Sequence, residues 1–174
     1  MRILVAYATK HGGTEGIAER LGQTLTALGH HVDVHGVREA GTGGYDAFVI
    51  GSAEYMAHWR KEAKQFVEDH REQIAGHPVW LFSSGPLGTD PVDAEGRDLR
   101  EVSNPKELGE LVDAVHPREH RVFFGRIDPD TLTLAEKALR KLPAGRDLLP
   151  EGDFRDWADV DSWARKIDDE LTVL

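Results

Sequence analysis

Thr9-Lys10-His11-Gly12-Gly13-Thr14 places a hydroxyl at each end of a short polar stretch and two adjacent glycines inside it. Hydroxyls and free backbone N–H groups in that order can wrap one phosphate without an arginine. The apolar run Ile3-Leu4-Val5-Ala6-Tyr7-Ala8 precedes the stretch, and Ile17, Ala18, Leu21, Leu25 and Leu28 follow it at helical spacing. The stretch thus joins a buried strand to a helix. A helix starting there aims unpaired N–H groups and its positive dipole end into the loop, which makes an anion seat. The dinucleotide pattern G-x-G-x-x-G does not fit the spacing of Gly12, Gly13 and Gly16, and the triphosphate loop G-x-x-x-x-G-K-S/T is absent. A terminal monophosphate suits the loop best. A second reading stays open: a plain strand-to-helix turn with Thr14 as its N-cap.

Other chemistries find less support. The chain has no cysteine, which excludes disulfides, thiolate nucleophiles, iron–sulfur ligation and zinc–thiolate sites. His31 and His35 are four apart on an expected strand, where that spacing does not bring ligands together, and Pro117 interrupts the helix that would align His116 with His120. With no H-E-x-x-H, no metal is expected. Ser83-Ser84-Gly85 lacks the flanking glycine of a G-x-S-x-G elbow. Glu54 and His58 could move protons, or simply face solvent.

The elements that must position the loop follow in order. His31–Val37 alternates polar and apolar residues, as an edge strand does, whereas Asp46–Gly51 is apolar on both faces, like the first strand. Ser52–His58 reads as a loop. A helix is expected from Trp59 through Ala63, Phe66, Val67, His70 and Ile74 to Gly76. Pro78–Ser83 reads as a strand and Ser84–Gly88 as a loop. Thr89–Ser103 is polar, acidic and aperiodic, a long loop of the functional or mobile kind. Asn104-Pro105-Lys106-Glu107 opens a helix with Leu108, Leu111, Val112 and Val115 inward. Arg121–Gly125 is the next strand. Asp128-Pro129 opens a helix with Leu132, Ala135, Leu139 and Leu142 inward, stopped by Pro143-Ala144-Gly145, and a loop runs to Gly152. The last helix starts near Asp156, with Val160, Ala164, Ile167 and Leu171 on its inner stripe beside Trp163.

Strands alternating with helices predict an α/β fold in three layers: a doubly wound, five-stranded parallel sheet in one domain over residues 1–174. With strands one and three central and two at the edge, the order is 2-1-3-4-5. The net charge of −10 argues against nucleic acid as a partner and leaves room for a basic one. The N-terminus enters a strand directly, with no signal-peptide pattern, and apolar runs fall far below a membrane span. A cytoplasmic protein with at most peripheral membrane contact is expected.

Tyr7-Ala8-Thr9-Lys10-His11-Gly12-Gly13-Thr14 resembles the phosphate-loop signature of the flavodoxin family. Val49-Ile50-Gly51-Ser52-Ala53 with Tyr55 and His58, Phe82-Ser83-Ser84, and Asp156-Trp157 through Val160 to Trp163-Ala164-Arg165 extend the resemblance over essentially the whole chain. They are most similar to the branch of small flavodoxin-domain proteins that includes menaquinone-dependent protoporphyrinogen dehydrogenase. The resemblance implies FMN. Thr9, Lys10, His11, Gly12, Gly13 and Thr14 would hold its phosphate. Ala53, Glu54, Tyr55 and Met56 would line one side of the isoalloxazine, and Ser84, Gly85, Pro86, Leu87 and Gly88 the other.

Two departures stand out. Many flavodoxins stack an aromatic from the later loop on the flavin, where this chain has Pro86 and Leu87. The segment after the fifth strand is basic and aromatic in the dehydrogenase branch. Here Arg126–Arg146 carries Lys137, Arg140, Lys141 and Arg146 but no aromatic. A solvated helix face is one reading of these charges; a contact with a substrate carboxylate or a membrane surface is another. The function implied is an FMN-dependent oxidoreductase that takes electrons from a small substrate such as protoporphyrinogen IX and passes them to a quinone. A non-enzymatic FMN electron carrier with a basic redox partner is the alternative, and a flavin-free binding domain is a third. Fold does not decide among them.

Overall fold

A computed structural model describes residues 1–173. In chain order its elements are β1 (Arg2–Ala8), α1 (Gly13–Ala27), β2 (His31–Gly36), β3 (Ala47–Tyr55), β4 (His58–Trp59), α2 (Lys61–Asp69), α3 (Arg71–Ile74) and β5 (Val79–Ser84). Then come α4 (Leu99–Val102), α5 (Leu108–Val115), β6 (Glu119–Phe123), β7 (Arg126–Ile127), a 3-10 turn (Pro129–Thr131), α6 (Leu134–Leu139), α7 (Pro143–Leu148), β8 (Gly152–Asp153) and α8 (Trp157–Thr172). The central parallel sheet runs β2-β1-β3-β5-β6, the expected 2-1-3-4-5 order once the short antiparallel β4 is set aside. Registers Ala8↔Ser52, Ala53↔Ser84 and Ser84↔Phe123 bring the carboxyl ends of four strands to one edge. Ligands of such sheets bind at that edge.

Successive side chains of a strand point to opposite faces, and β1 divides accordingly. Ile3 and Val5 join Ile17, Leu21 and Leu25 of α1 and Val160, Trp163 and Ile167 of α8 on one side. Leu4 and Ala6 join Ala63, Phe66 and Val67 of α2, Ile74 of α3 and Leu111 and Val115 of α5 on the other. Ile17, Leu21 and Leu25 are wholly buried, and each contributes about 1.5–3 kcal/mol of burial energy that holds α1 against the sheet. Asp156 caps α8 by accepting from the Ala158 and Asp159 N–H groups.

Several expectations are corrected. Residues 52–55 are not a loop: β3 runs on through Tyr55 and returns as β4, pairing Glu54 with Trp59 and Tyr55 with His58. Trp59 therefore does not open the next helix. Its buried indole N–H donates to Ser83 Oγ at 2.7 Å, and Ser83 Oγ lies 2.8 Å from His120 Nε2. Burial outweighs the pull of Glu119 and lowers His120 to about 4. The helix expected at Asn104 begins at Leu108, and the Glu107 carboxylate just before it takes His58 Nδ1 at 2.5 Å and the Trp59 N–H at 3.3 Å. On that helix Val112 is exposed rather than inward. The long Thr89–Ser103 segment carries a Val92–Asp98 bridge and the single turn α4.

The helix expected after Asp128 is split. Pro129–Thr131 is a 3-10 turn, Thr133 starts α6 with a capping box to Glu136, and Pro143 begins α7 instead of ending its predecessor. Only Leu132 of the expected inner stripe is buried; Leu139 and Leu142 face solvent, and the buried position is Glu136. β7 and β8 pair antiparallel and tie the two ends of this segment together.

Candidate functional site

The first wall of the site is the loop between β1 and α1. Thr9 Oγ accepts the Gly12 N–H at 2.9 Å. Gly12, at φ 77°, is the helix cap, a left-handed position suited to glycine. Thr14 is therefore not the N-cap. It sits in the first turn, 1% exposed, and its Oγ has no hydrogen-bond partner. A buried hydroxyl normally finds one, so an unpartnered one beside the open N–H groups of a helix start suits an anionic guest. Gly13 packs against the backbone of Arg126, and Arg155 donates to the Gly13 carbonyl at 3.1 Å.

The second wall is the end of β3. Ala53, Glu54 and Tyr55 face the same cleft as the first loop, whereas Met56 is 78% exposed at the hairpin tip and does not line it. The third wall follows β5. Ser84, Gly85 and Leu87 line the cleft; Pro86 is buried behind it with its carbonyl accepting the Gly125 N–H at 2.8 Å, and Gly88 lies in a separate groove. Thr9, Lys10, His11, Gly13 and Thr14 complete the lining from the first loop, while Gly12 stays outside it. A side chain at Gly85 would come within 2.9 Å of Glu54 Cβ, so the second and third walls touch there.

A fourth wall lies outside the residues that the sequence assigned to the cofactor. Gly125, Arg126, Ile127 and Leu149 also face the cleft. Ile127, Leu132 and Leu149 form a small buried cluster with Leu87 packed on it, and this seats the 125–153 segment as a cap. Their signal was the end of the fifth strand, which reaches the same sheet edge as the other loops.

The cap also supplies the main electrostatic feature. Lys10 Nζ is 2.5 Å from Glu136 Oε1, and His11 Nε2 is 3.3 Å from the same oxygen. His11 Nδ1 meets the Thr131 carbonyl at 3.1 Å. Glu136 Oε2 takes the Thr133 N–H and hydroxyl, each at 2.9 Å. Burial pushes Glu136 up, but the Lys10 and Thr133 hydrogen bonds and the His11 charge hold it at about 2. Lys10 Nζ also lies 3.4 Å from the centre of the Tyr55 ring, within cation–π range. With Lys10 there, the free volume of the cleft is about 70 Å³, against roughly 300–1,000 Å³ for small-molecule sites. A planar guest on Tyr55 must displace Lys10.

Behind the second wall, His58 is half-exposed and held by Glu107. Burial pushes Glu54 up, the negative Glu107 adds to this and His58 opposes it, leaving Glu54 at about 7. Glu107 itself is pushed up by burial, but its hydrogen bonds from His58 and the backbone prevail and lower it. Among the described residues, no helix is long and apolar enough to cross a membrane.

The family described as flavodoxin domain matches residues 4–144. The chain is similar to protoporphyrinogen IX dehydrogenase (quinone) of Escherichia coli strain K12, 29% identical over 96% of this chain and 94% of that protein. Among solved structures it is similar to rubredoxin oxygen:oxidoreductase of Desulfovibrio gigas, with a TM-score of 0.61 and 12% identity over 99% of this chain. It spans only 36% of that longer protein. It is also similar to oxidised flavodoxin 2 of Bacillus cereus, with a TM-score of 0.53 and 23% identity over 75% of this chain and 90% of that one. At these identities the two structures speak for the fold alone.

Proposed function

Because this chain belongs to the flavodoxin domain family, we propose that it binds FMN in the cleft described above. We propose further that it oxidises protoporphyrinogen IX, with a quinone as electron acceptor. The observation that carries the cofactor reading is Thr14, whose buried hydroxyl lacks a partner at a helix start facing Tyr55 and the Ser84–Leu87 turn. In this reading the Thr9 and Thr14 hydroxyls and the Gly13 N–H hold the phosphate. Lys10 and His11, once released from Glu136, balance its charge. Tyr55 and Glu54 flank the ring system on one side and Ser84, Gly85 and Leu87 on the other, while Ile127 and Leu149 exclude water. FMN supplies the two-electron chemistry, and the protein supplies binding, orientation and electrostatics.

The porphyrin and quinone assignment draws on the Escherichia coli relative, which this chain and that protein match over nearly their full lengths. The net charge of −10 favours a second reading, an electron carrier meeting a basic redox protein. Such an encounter weakens steeply with salt.

The deciding experiment starts with the visible spectrum of the purified protein and the mass of any cofactor released on heating. A flavin spectrum and the mass of FMN are expected. Anaerobic addition of protoporphyrinogen IX to the FMN-loaded protein should then yield porphyrin fluorescence at rates that depend on an added menaquinone analogue. A protein that is colourless and rejects FMN overturns the cofactor reading. FMN-loaded protein inert towards porphyrinogen and quinone leaves the carrier.

A further inference from the structure

Among the described residues, three buried side-chain atoms lack a hydrogen-bond partner: Thr14 Oγ, Glu54 Oε2 and Arg140 Nε. Thr14 and Glu54 line the same cleft. The proposed phosphate site accounts for Thr14 and leaves Glu54 unexplained.

Glu54 is an unusual place for an ionised carboxylate. Gly85 closes on its Cβ and its Oε2 from the neighbouring turn. Glu107, at the N-cap of α5, has the same sign and adds to the proton affinity of Glu54. His58 on β4 opposes this only in part, being held by Glu107 at 2.5 Å. The cationic side chains across the cleft are committed elsewhere, Lys10 and His11 to Glu136 and Arg126 to Asp128. An unpaired buried carboxylate gains proton affinity, because burial disfavours its charge. Negative charge arriving beside it adds to that affinity, so the group takes a proton when the charge arrives and releases it when the charge leaves.

We propose that Glu54 is the proton-holding residue of this site, taking up one proton when the bound ring system is reduced and returning it when the electrons leave. The inference rests on the FMN reading above and adds a role to it. The balance is as follows for a substrate that gives up two electrons and two protons. One proton stays with the two electrons on the ring system, and the second goes to the Glu54 carboxylate. A quinone is reduced by two electrons and two protons, so it collects the electrons, the first proton and the Glu54 proton, and the site returns to its starting state. Substrate is oxidised, quinone is reduced, and Glu54 carries one proton per turnover.

Two measurements test this. In the cofactor-free protein, carbon-13 NMR of labelled glutamate, assigned by the signal missing from Glu54→Gln, follows the Glu54 carboxyl from pH 4 to 9. A midpoint near neutral pH is expected, and one in the ordinary carboxylate range overturns the proposal. In FMN-loaded protein, the pH dependence of the reduction potential counts protons taken up per two electrons. The wild type should take up one more than Glu54→Gln over the range where Glu54 titrates, and Glu54→Asp, which keeps a carboxyl, should restore the extra proton. Equal counts in wild type and Glu54→Gln overturn the proposal while leaving FMN binding intact. Failure of the wild type to bind FMN instead overturns the reading on which it rests.

Discussion

Lys10 and Glu136 are joined across the mouth of the cleft, with Nζ 2.5 Å from Oε1, and the same ammonium rests 3.4 Å from the centre of the Tyr55 ring. One side chain therefore couples the loop after β1, the aromatic end of β3 and the cap helix α6. Glu136 is a built-in counter-ion for the basic residues that would otherwise face a phosphate. A ligand bearing both a phosphate and a flat ring has to compete with Glu136 for Lys10 and with Lys10 for Tyr55.

Glu136→Gln should therefore bind FMN more tightly. Glutamine still serves a capping box, so α6 keeps its start, but the competing negative charge is gone. A tightening of about tenfold is expected, equivalent to about 1.4 kcal/mol. Riboflavin, which has no phosphate, should gain much less. Flavin fluorescence quenching in parallel titrations measures both, and an equal gain for the two ligands would place the phosphate away from Lys10 and His11.

The same carboxylate makes stability depend on acid. Glu136 is held at about 2 in the folded protein, below its ordinary value of about 4.3. Its contribution is fully present above about pH 4.3 and fades as pH falls towards about 2. At one pKa unit per 1.36 kcal/mol it amounts to at most about 3 kcal/mol. Urea unfolding should show the wild type losing more stability than Glu136→Gln between pH 5 and pH 2.5, and parallel losses would mean that the ion pair contributes nothing.

Thr14→Ala separates binding from folding. Its hydroxyl has no partner in the free protein, so its loss should change cofactor-free stability by less than about 1 kcal/mol, the size of an ordinary hydrogen bond. A hydrogen bond to a charged group contributes about 1.5–3 kcal/mol, so FMN affinity should fall about ten- to hundredfold, and Thr14→Ser should restore most of it. Thr9→Ala together with Thr14→Ala should lower it at least about a hundredfold. Unchanged FMN affinity in the double variant would mean that the phosphate sits elsewhere.

The strand, loop and helix from Ile3 to Leu25, the strand order and the inner stripe of α8 were all legible, because periodicity reports burial directly. The hairpin after Tyr55 was not. Its turn is Met56-Ala57, with φ values of 53° and 62°, where such turns favour asparagine and glycine. The cap misled for a different reason. Leu139 and Leu142 suggested an apolar inner face, yet α6 is short and turns Glu136 inward because Lys10 and His11 lie opposite. Glu107 likewise looked like a local cap until His58 and Trp59 claimed it. The last two misses are polar contacts between segments far apart in the chain, which no local pattern encodes, whereas the hairpin is a local turn made by residues that seldom form one.

The hairpin itself can be tested by relief of strain. Left-handed backbone costs about 1–2 kcal/mol per ordinary residue, and Met56 and Ala57 both adopt it. Met56→Asn with Ala57→Gly should stabilise the cofactor-free protein by about 1–2 kcal/mol and raise its melting temperature by several degrees. A loss of stability would mean that the exposed Met56 side chain makes contacts that outweigh the strain of its backbone.

Glu54 should give the opposite pH dependence to Glu136. Its folded value of about 7 lies above the ordinary value, with burial the leading cause and Glu107 the second. The folded state then binds the proton more tightly than the unfolded chain does. Stability is unaffected by Glu54 below about pH 4, falls as pH rises from about 4.3 towards 7, and stays lower above that. The full shift corresponds to about 3–4 kcal/mol, which solvent screening at this half-buried position reduces to about 1–2 kcal/mol. Glu54→Gln removes the penalty. Cofactor-free wild type and variant should therefore unfold at similar denaturant concentrations at pH 4, and the variant should be the more stable at pH 8. A variant weaker than wild type at pH 8 would show that the ionised carboxylate finds a stabilising partner, and the cost assigned to its unpartnered oxygen would then be wrong.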